Sequence, residues 1–271
     1  MRMIRNGRVD LGGTQMEYAA FGCGSRVLTV LPGLSDGLAT VRGKALLLAS
    51  PYRAVLRDFT VYMFSRQNDL PAGFTIPDMA AAQAAALLKL GAAKTSLLGV
   101  SQGGMIAQCF AAGFPEMTER LVLAVTAPAV NDTLRDCISR WIAMAERGDH
   151  KALMTDTAEH SYSPEKLKSF RKLYPLLGMI GKPRSYDRFL VNARAILQFD
   201  MTARLHEIIC PTLVLGGETD STVGTEAAQQ LHEMIAGSRL HIYKGLGHAL
   251  YEEAADDFYR RVFRFLREDI T

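Results

Sequence analysis

The run Leu97-Leu98-Gly99-Val100-Ser101-Gln102-Gly103-Gly104 holds a serine with a glycine two residues away on each side. It ends an apolar, strand-like stretch and opens a segment with helical spacing. A strand that turns this abruptly into a helix forces its central residue into a strained backbone conformation, and small neighbours leave room for the turn. The Ser101 hydroxyl is thereby pushed out at the head of the strand. The next backbone N–H, that of Gln102, points at the same spot from a helix N-terminus, where negative charge is favoured. Such an arrangement suits nucleophilic attack with stabilisation of the oxyanion that develops. If Ser101 only capped the helix, the small residues around it would have no purpose.

A serine hydroxyl is a poor nucleophile at neutral pH and needs a positioned base. Of the six histidines, His248 sits in Lys244-Gly245-Leu246-Gly247-His248-Ala249, directly after the last strand-like run and before the last helical one. That loop falls at the C-terminal edge of a sheet, as Ser101 does. His241 lies inside the strand-like Leu240–Tyr243 and reads as structural. His150, His160, His206 and His232 lie in or beside helical stretches and read as surface or core residues, with a substrate contact left open for His160. The base in turn needs an acceptor that fixes its tautomer. Glu218 and Asp220, after the run Leu213–Gly217, both fall at the same sheet edge and both fit that role. A second oxyanion donor is expected in Leu31-Pro32-Gly33-Leu34-Ser35-Asp36-Gly37, where Gly33 gives the backbone freedom to aim the Leu34 N–H, although a plain Pro-Gly turn reads the same way.

The elements that must position these groups follow from apolar patterning. Arg26–Leu31, Thr60–Ser65, Thr95–Val100 and Leu121–Thr126 are short apolar runs without alternation, as in strands covered on both faces of a parallel sheet. Ile76–Leu90 and Gln102–Phe114 between them predict helices. From about Asn131 to Leu205 the strand signal vanishes, and Thr133–Arg147, His150–Ser161, Pro164–Leu177 and Ser185–Leu197 predict helices. Strands resume at Pro211–Gly216 and Leu240–Tyr243, and Tyr251–Arg267 predicts a last helix. The reading is a parallel sheet interrupted by a helical insertion.

Composition narrows the class. Hydrophobic residues make up 48% and charged residues 22% of 271 residues, which excludes a disordered chain. The net charge of +3 comes from interspersed signs with no run of five like charges, so no nucleic-acid or membrane-surface footprint is expected. Cys23, Cys109, Cys137 and Cys210 are far apart, without metal-ligand spacing, and read as free thiols in a reducing compartment. The Met1–Gly7 stretch has no apolar core of a secretory signal, and no apolar run nears the roughly 20 residues that span a bilayer. A cytoplasmic protein is expected.

Taken together, the Gly33 loop, the Gly99–Gly103 turn, the Gly217-Glu218-Thr219-Asp220 segment and the Gly247-His248 pair resemble the α/β-hydrolase superfamily, in its serine-nucleophile branch with a helical cap. The chain order Ser101, Asp220, His248 is the order of that fold. The resemblance implies an α/β fold with a mostly parallel central sheet flanked by helices. Residues 1–128 and 206–271 would form the core domain and 129–205 an all-helical cap. It also implies Ser101 as nucleophile, Asp220 as orienting acid, His248 as general base, and the Leu34 and Gln102 amides as the oxyanion hole. Two positions depart from the family pattern: Pro32-Gly33 replaces the frequent His-Gly, and Ser221 the frequent proline after the acid. The serine disfavours the branches that use a carboxylate nucleophile. The expected substrate is a small to medium, partly hydrophobic carboxylic ester, met by Gly33 and by Trp141, Phe170 and Tyr174 of the cap. Carbon–carbon bond hydrolysis, lactone opening, perhydrolysis and slow-turnover ligand sensing are the alternatives. No cofactor, metal, nucleic acid or membrane partner is expected, and the chain is expected to be a monomer or homodimer.

Overall fold

The computed structural model describes residues 3–268. Eight strands form one sheet in the order β1-β2-β4-β3-β5-β6-β7-β8. They are β1 (Met3–Asp10), β2 (Gln15–Gly22), β3 (Arg26–Leu31), β4 (Phe59–Gln67), β5 (Thr95–Val100), β6 (Thr118–Ala124), β7 (Thr212–Gly217) and β8 (Arg239–Tyr243). From β4 to β8 every neighbouring pair is parallel. The apolar runs are strands because the sheet is covered on both faces. Leu97, Leu121 and Val214 pack into one hydrophobic cluster, and their chain neighbours Leu98, Val122 and Leu213 pack into a second. Side chains alternate across a strand, so each central strand feeds two cores.

The structure adds a β1–β2 hairpin, antiparallel to itself and to β4, that apolar patterning does not reveal. Of β1, Ile4 to Asn6, Arg8 and Asp10 are exposed and Val9 is buried, so this edge strand has no apolar run to read. Other boundaries shift for local reasons. β6 starts at Thr118 and stops at Ala124, because Val125 turns the chain with φ 45°. The predicted helix Pro164–Leu177 is broken by a 3-10 turn at Arg171–Leu173, just before Pro175 removes a helical N–H. The predicted Tyr251–Arg267 helix divides at Ala254 into Leu250–Glu253 and Ala255–Arg267.

The principal helices are α1 (Ile76–Lys89), α2 (Gln102–Gly113), α3 (Asp132–Glu146), α4 (His150–Ser161), α5 (Pro164–Phe170), α6 (Asp187–Ile196), α7 (Ala227–Met234) and α8 (Ala255–Arg267). Helix α1 starts in a capping box: the Thr75 hydroxyl accepts the Asp78 N–H while Asp78 accepts the Thr75 N–H. Helices α3 to α6 all lie between β6 and β7. The two ends of that insertion are stitched together, since the Val130 N–H donates to the Phe199 carbonyl and the Met201 N–H to the Pro128 carbonyl. Its α6 sits hard on the loop after β3: a Cβ on Gly37 would lie 2.8 Å from Phe189 Cα. No helix among the described residues is long and apolar enough to cross a membrane.

Candidate active site

Strand β5 ends at Val100, and Ser101 turns the chain into α2 with φ 55° and ψ −122°. A non-glycine residue there is strained by about 1–3 kcal/mol and holds only where its surroundings over-determine it. They do so here by close packing. A Cβ on Gly103 would lie 1.9 Å from the Leu31 carbonyl oxygen, and one on Gly99 would lie 2.5 Å from that of Gly103. The Ser101 N–H donates to the Ala124 carbonyl at 2.9 Å, which pins the turn to the neighbouring strand.

The parallel strands deliver the other two groups to the same edge. His248 follows β8, and its Nε2 lies 2.9 Å from Ser101 Oγ. Its Nδ1 lies 2.8 Å from Oδ2 of Asp220, which follows β7. Both His248 and Asp220 are buried. The carboxylate can only accept, so Nδ1 carries the proton and Nε2 is left to accept the Ser101 hydroxyl hydrogen. The second Asp220 oxygen accepts the N–H groups of Thr222 and Val223, which fixes its plane. Glu218, the other carboxylate at this edge, instead accepts the Gly245 N–H and shapes the loop leading to His248.

The loop after β3 closes the site from the other side. Gly33 packs against the serine, for a Cβ there would lie 3.3 Å from Ser101 Cβ and 3.8 Å from Oγ. Leu34 and Gln102 each begin a helical turn, so their N–H groups have no intrahelical acceptor. Neither N–H has another protein acceptor among the described residues.

The remaining histidines are engaged elsewhere. His160 makes ring hydrogen bonds to the Asp156 carbonyl and to Arg140, His150 to the Ile180 carbonyl, and His232 to Ser238. His241 stands edge-on to Tyr243, where burial and Arg261 lower its pKa. His206 lies in the 3-10 turn Thr202–Glu207. The end of α4 holds the loops that carry Asp220 and His248 through its backbone. The His160 carbonyl accepts the hydroxyls of Ser221 and Thr222, and the Ser161 carbonyl accepts the Ala249 N–H. Sequence reasoning missed this junction, because main-chain acceptors leave no residue signature.

A cavity of about 210 Å³ lies between Ser35 and Ala249 of the core and Met154, Ala158, Phe170 and Leu177 of the insertion. Phe170, one of the residues expected at the substrate, lines this cavity. Trp141 and Tyr174 do not line it, and each is held elsewhere by a polar contact. The buried Trp141 needs a partner for its indole N–H and finds Asp156 across the α3–α4 interface. The Tyr174 hydroxyl donates to Glu159, which Arg171 also grips. A larger hollow of about 900 Å³, between Ser50–Ala54 and α8, contains none of these site residues. Among the described residues no group of three metal-ligating side chains converges.

This chain belongs to the alpha/beta hydrolase family, whose sequence profile matches residues 30–261. It is 29% identical over 281 aligned residues to a 2-hydroxy-6-oxononadienedioate/2-hydroxy-6-oxononatrienedioate hydrolase of Pseudomonas putida, covering 97% of this chain and 94% of that one. It is 27% identical to the human serine hydrolase BPHL, covering 97% of this chain and 87% of the relative. Among solved structures, the enol-lactonase of Burkholderia xenovorans LB400 superposes with a TM-score of 0.82 at 19% identity, covering 97% of this chain and all of that one, and so shares the fold. The chain is a hydrolase of that family.

Proposed function

We propose that this protein is a serine hydrolase that cleaves a small to medium, uncharged and partly hydrophobic carboxylic ester through an acyl-enzyme. The observation that carries the reading is the continuous hydrogen-bonded chain from Asp220 through His248 to Ser101 Oγ. In the first step Ser101 Oγ attacks the ester carbonyl carbon while His248 Nε2 takes its proton. The carbonyl electrons move onto oxygen, and the Leu34 and Gln102 N–H groups receive that oxyanion. A donor of this kind contributes about 3 kcal/mol to the transition state. His248 then returns the proton to the departing alkoxide, the acyl group stays on Ser101, and water repeats the sequence to release the acid.

The cavity lined by Ser35 and Ala249, the chain neighbours of Leu34 and His248, favours an uncharged substrate. Its polar members are Ser35, Thr157, Ser161, Tyr162, Tyr251 and Glu252, and no cation is among them. The dienedioate in the name of the Pseudomonas relative is a dianion, which would meet a carboxylate here without a counter-charge. Carbon–carbon bond hydrolysis is the second reading, on the strength of that relative. Turnover of short p-nitrophenyl esters against turnover of a vinylogous diketone separates the two. Faster ester cleavage that vanishes in Ser101→Ala supports the proposal, and ester turnover that survives in the variant refutes it.

A further inference from the structure

Beneath the two amides assigned to the oxyanion hole lies a buried polar group that the mechanism above does not use. Arg66, near the end of β4, is 2% exposed, one of the largest fully enclosed side chains of the protein. Its Nη2 donates to Gln102 Oε1 at 2.8 Å. Its backbone N–H donates to Asp36 Oδ2 at 2.9 Å, and its Nη1 stands 3.8 Å from the same oxygen. Asp36 belongs to the short helical turn Leu34–Gly37, two residues after the amide of Leu34. One residue of the sheet therefore grips both sides of the oxyanion hole. It holds the Gln102 side by the side chain and the Leu34 side through the Asp36 carboxylate.

The insertion completes the arrangement. Arg188 of α6 donates from Nη2 to Asp36 Oδ2 at 2.9 Å and from Nε to the Asp36 carbonyl at 3.2 Å. Its other donors reach the carbonyls of Arg66 and Gln67. Gln102 Nε2 donates to the Asn192 carbonyl at 2.7 Å, also on α6. Burial lowers the Arg66 guanidinium to about 10, against the pull of Asp36 and with the push of Arg188, so it stays charged at neutral pH. A buried and a half-buried cation around one buried carboxylate are costly to assemble and contribute little net stability against an apolar filling. What such a network does supply is fixed geometry.

We propose that Arg66, backed by Arg188, is the positioning residue of the oxyanion hole, holding the Leu34 loop and Gln102 at the spacing that lets both N–H groups reach one oxygen. The proposal rests on the acyl-transfer reading and adds a residue to it that touches neither substrate nor the reacting atoms. Arg66 acts on the transition state and not on substrate binding. Misplacing a catalytic donor by about 1 Å costs on the order of 100-fold in rate.

The test uses the whole protein and two readouts, steady-state ester hydrolysis and the rate at which a fluorophosphonate labels Ser101. Arg66→Met removes the guanidinium and with it the hold on Gln102, while the backbone N–H of residue 66 still donates to Asp36 and Arg188 still pairs with it. The expected result is a kcat about 10- to 100-fold lower with KM little changed, and labelling slowed by a similar factor, since phosphonylation also needs the oxyanion donors. Should that variant not fold, Gln102→Leu cuts the same link at its other end and is expected to show the same split. Wild-type Ser101 that labels readily, beside a folded variant that labels at the same rate or loses only KM, overturns the clamp alone. Wild-type Ser101 that does not label overturns the acyl-transfer reading and the clamp with it.

Discussion

At Gly103 an added methyl would lie 1.9 Å from the Leu31 carbonyl oxygen, a contact no side-chain rotation can relieve. Gly103→Ala must therefore move β3 or α2, and either movement shifts the Leu34 loop relative to Ser101. The expected loss is about 2–3 kcal/mol of stability, read by urea unfolding, with a larger proportional loss of kcat. A second expectation concerns the thiols. Burial pushes Cys109 and Cys137 up to about 12, whereas Cys23 is exposed. Iodoacetamide near pH 8 is expected to modify Cys23 rapidly and the other two only after denaturation, checked by peptide mass. That Ser101, Asp220 and His248 meet at one sheet edge was legible in the sequence because each follows a strand-like run, with Gly99, Gly217 and Gly247 close by. Arg66 and Asp36 were not. A lone arginine in a strand carries no sign that a carboxylate more than 25 residues upstream meets it in the interior.

Between elements, the junction of the insertion with the loops bearing Asp220 and His248 is held by backbone and by two carboxylates. Glu253 accepts both the Ser163 N–H and hydroxyl, and Glu252 accepts the Tyr162 hydroxyl. With the carbonyls of His160 and Ser161, these bonds tie the α4–α5 connection to the loops bearing Asp220 and His248. Glu253→Ala leaves two part-buried donors unpaired. It is expected to cost about 1–3 kcal/mol in thermal or urea unfolding, and to lower kcat more than it raises KM. The central strands were legible because burial on both faces demands uninterrupted apolar residues. The edge strand β1 was not, since an exposed edge strand can be built from Arg, Asn and Asp. Helix ends were misread where proline or a single non-helical residue, as at Pro175 and Ala254, interrupts a continuous apolar pattern.

Over the whole molecule, the cavity proposed to take the acyl chain lies where core and insertion meet. Leu177 is buried at the wall of the 210 Å³ cavity, and truncating it lengthens the space available to an acyl chain. Leu177→Ala is expected to raise the ratio of kcat/KM for hexanoate over acetate esters about fivefold or more, a range set by the worth of a few buried methylenes. An unchanged ratio would place the acyl chain elsewhere. The sheet-plus-insertion plan could be read from where strand patterning stops and resumes. The seat of the insertion could not, because it depends on contacts such as Phe189 against Gly37 and Arg188 against Asp36 that join residues about 150 positions apart.

The proposed nucleophile is tested most directly by treating the native protein with diisopropyl fluorophosphate and weighing it intact. A single adduct is expected, mapping to the peptide that contains Ser101, absent from Ser101→Ala and formed far more slowly in His248→Gln, with ester turnover lost in step. An adduct on another residue, or full turnover in the protein modified at Ser101, would contradict it.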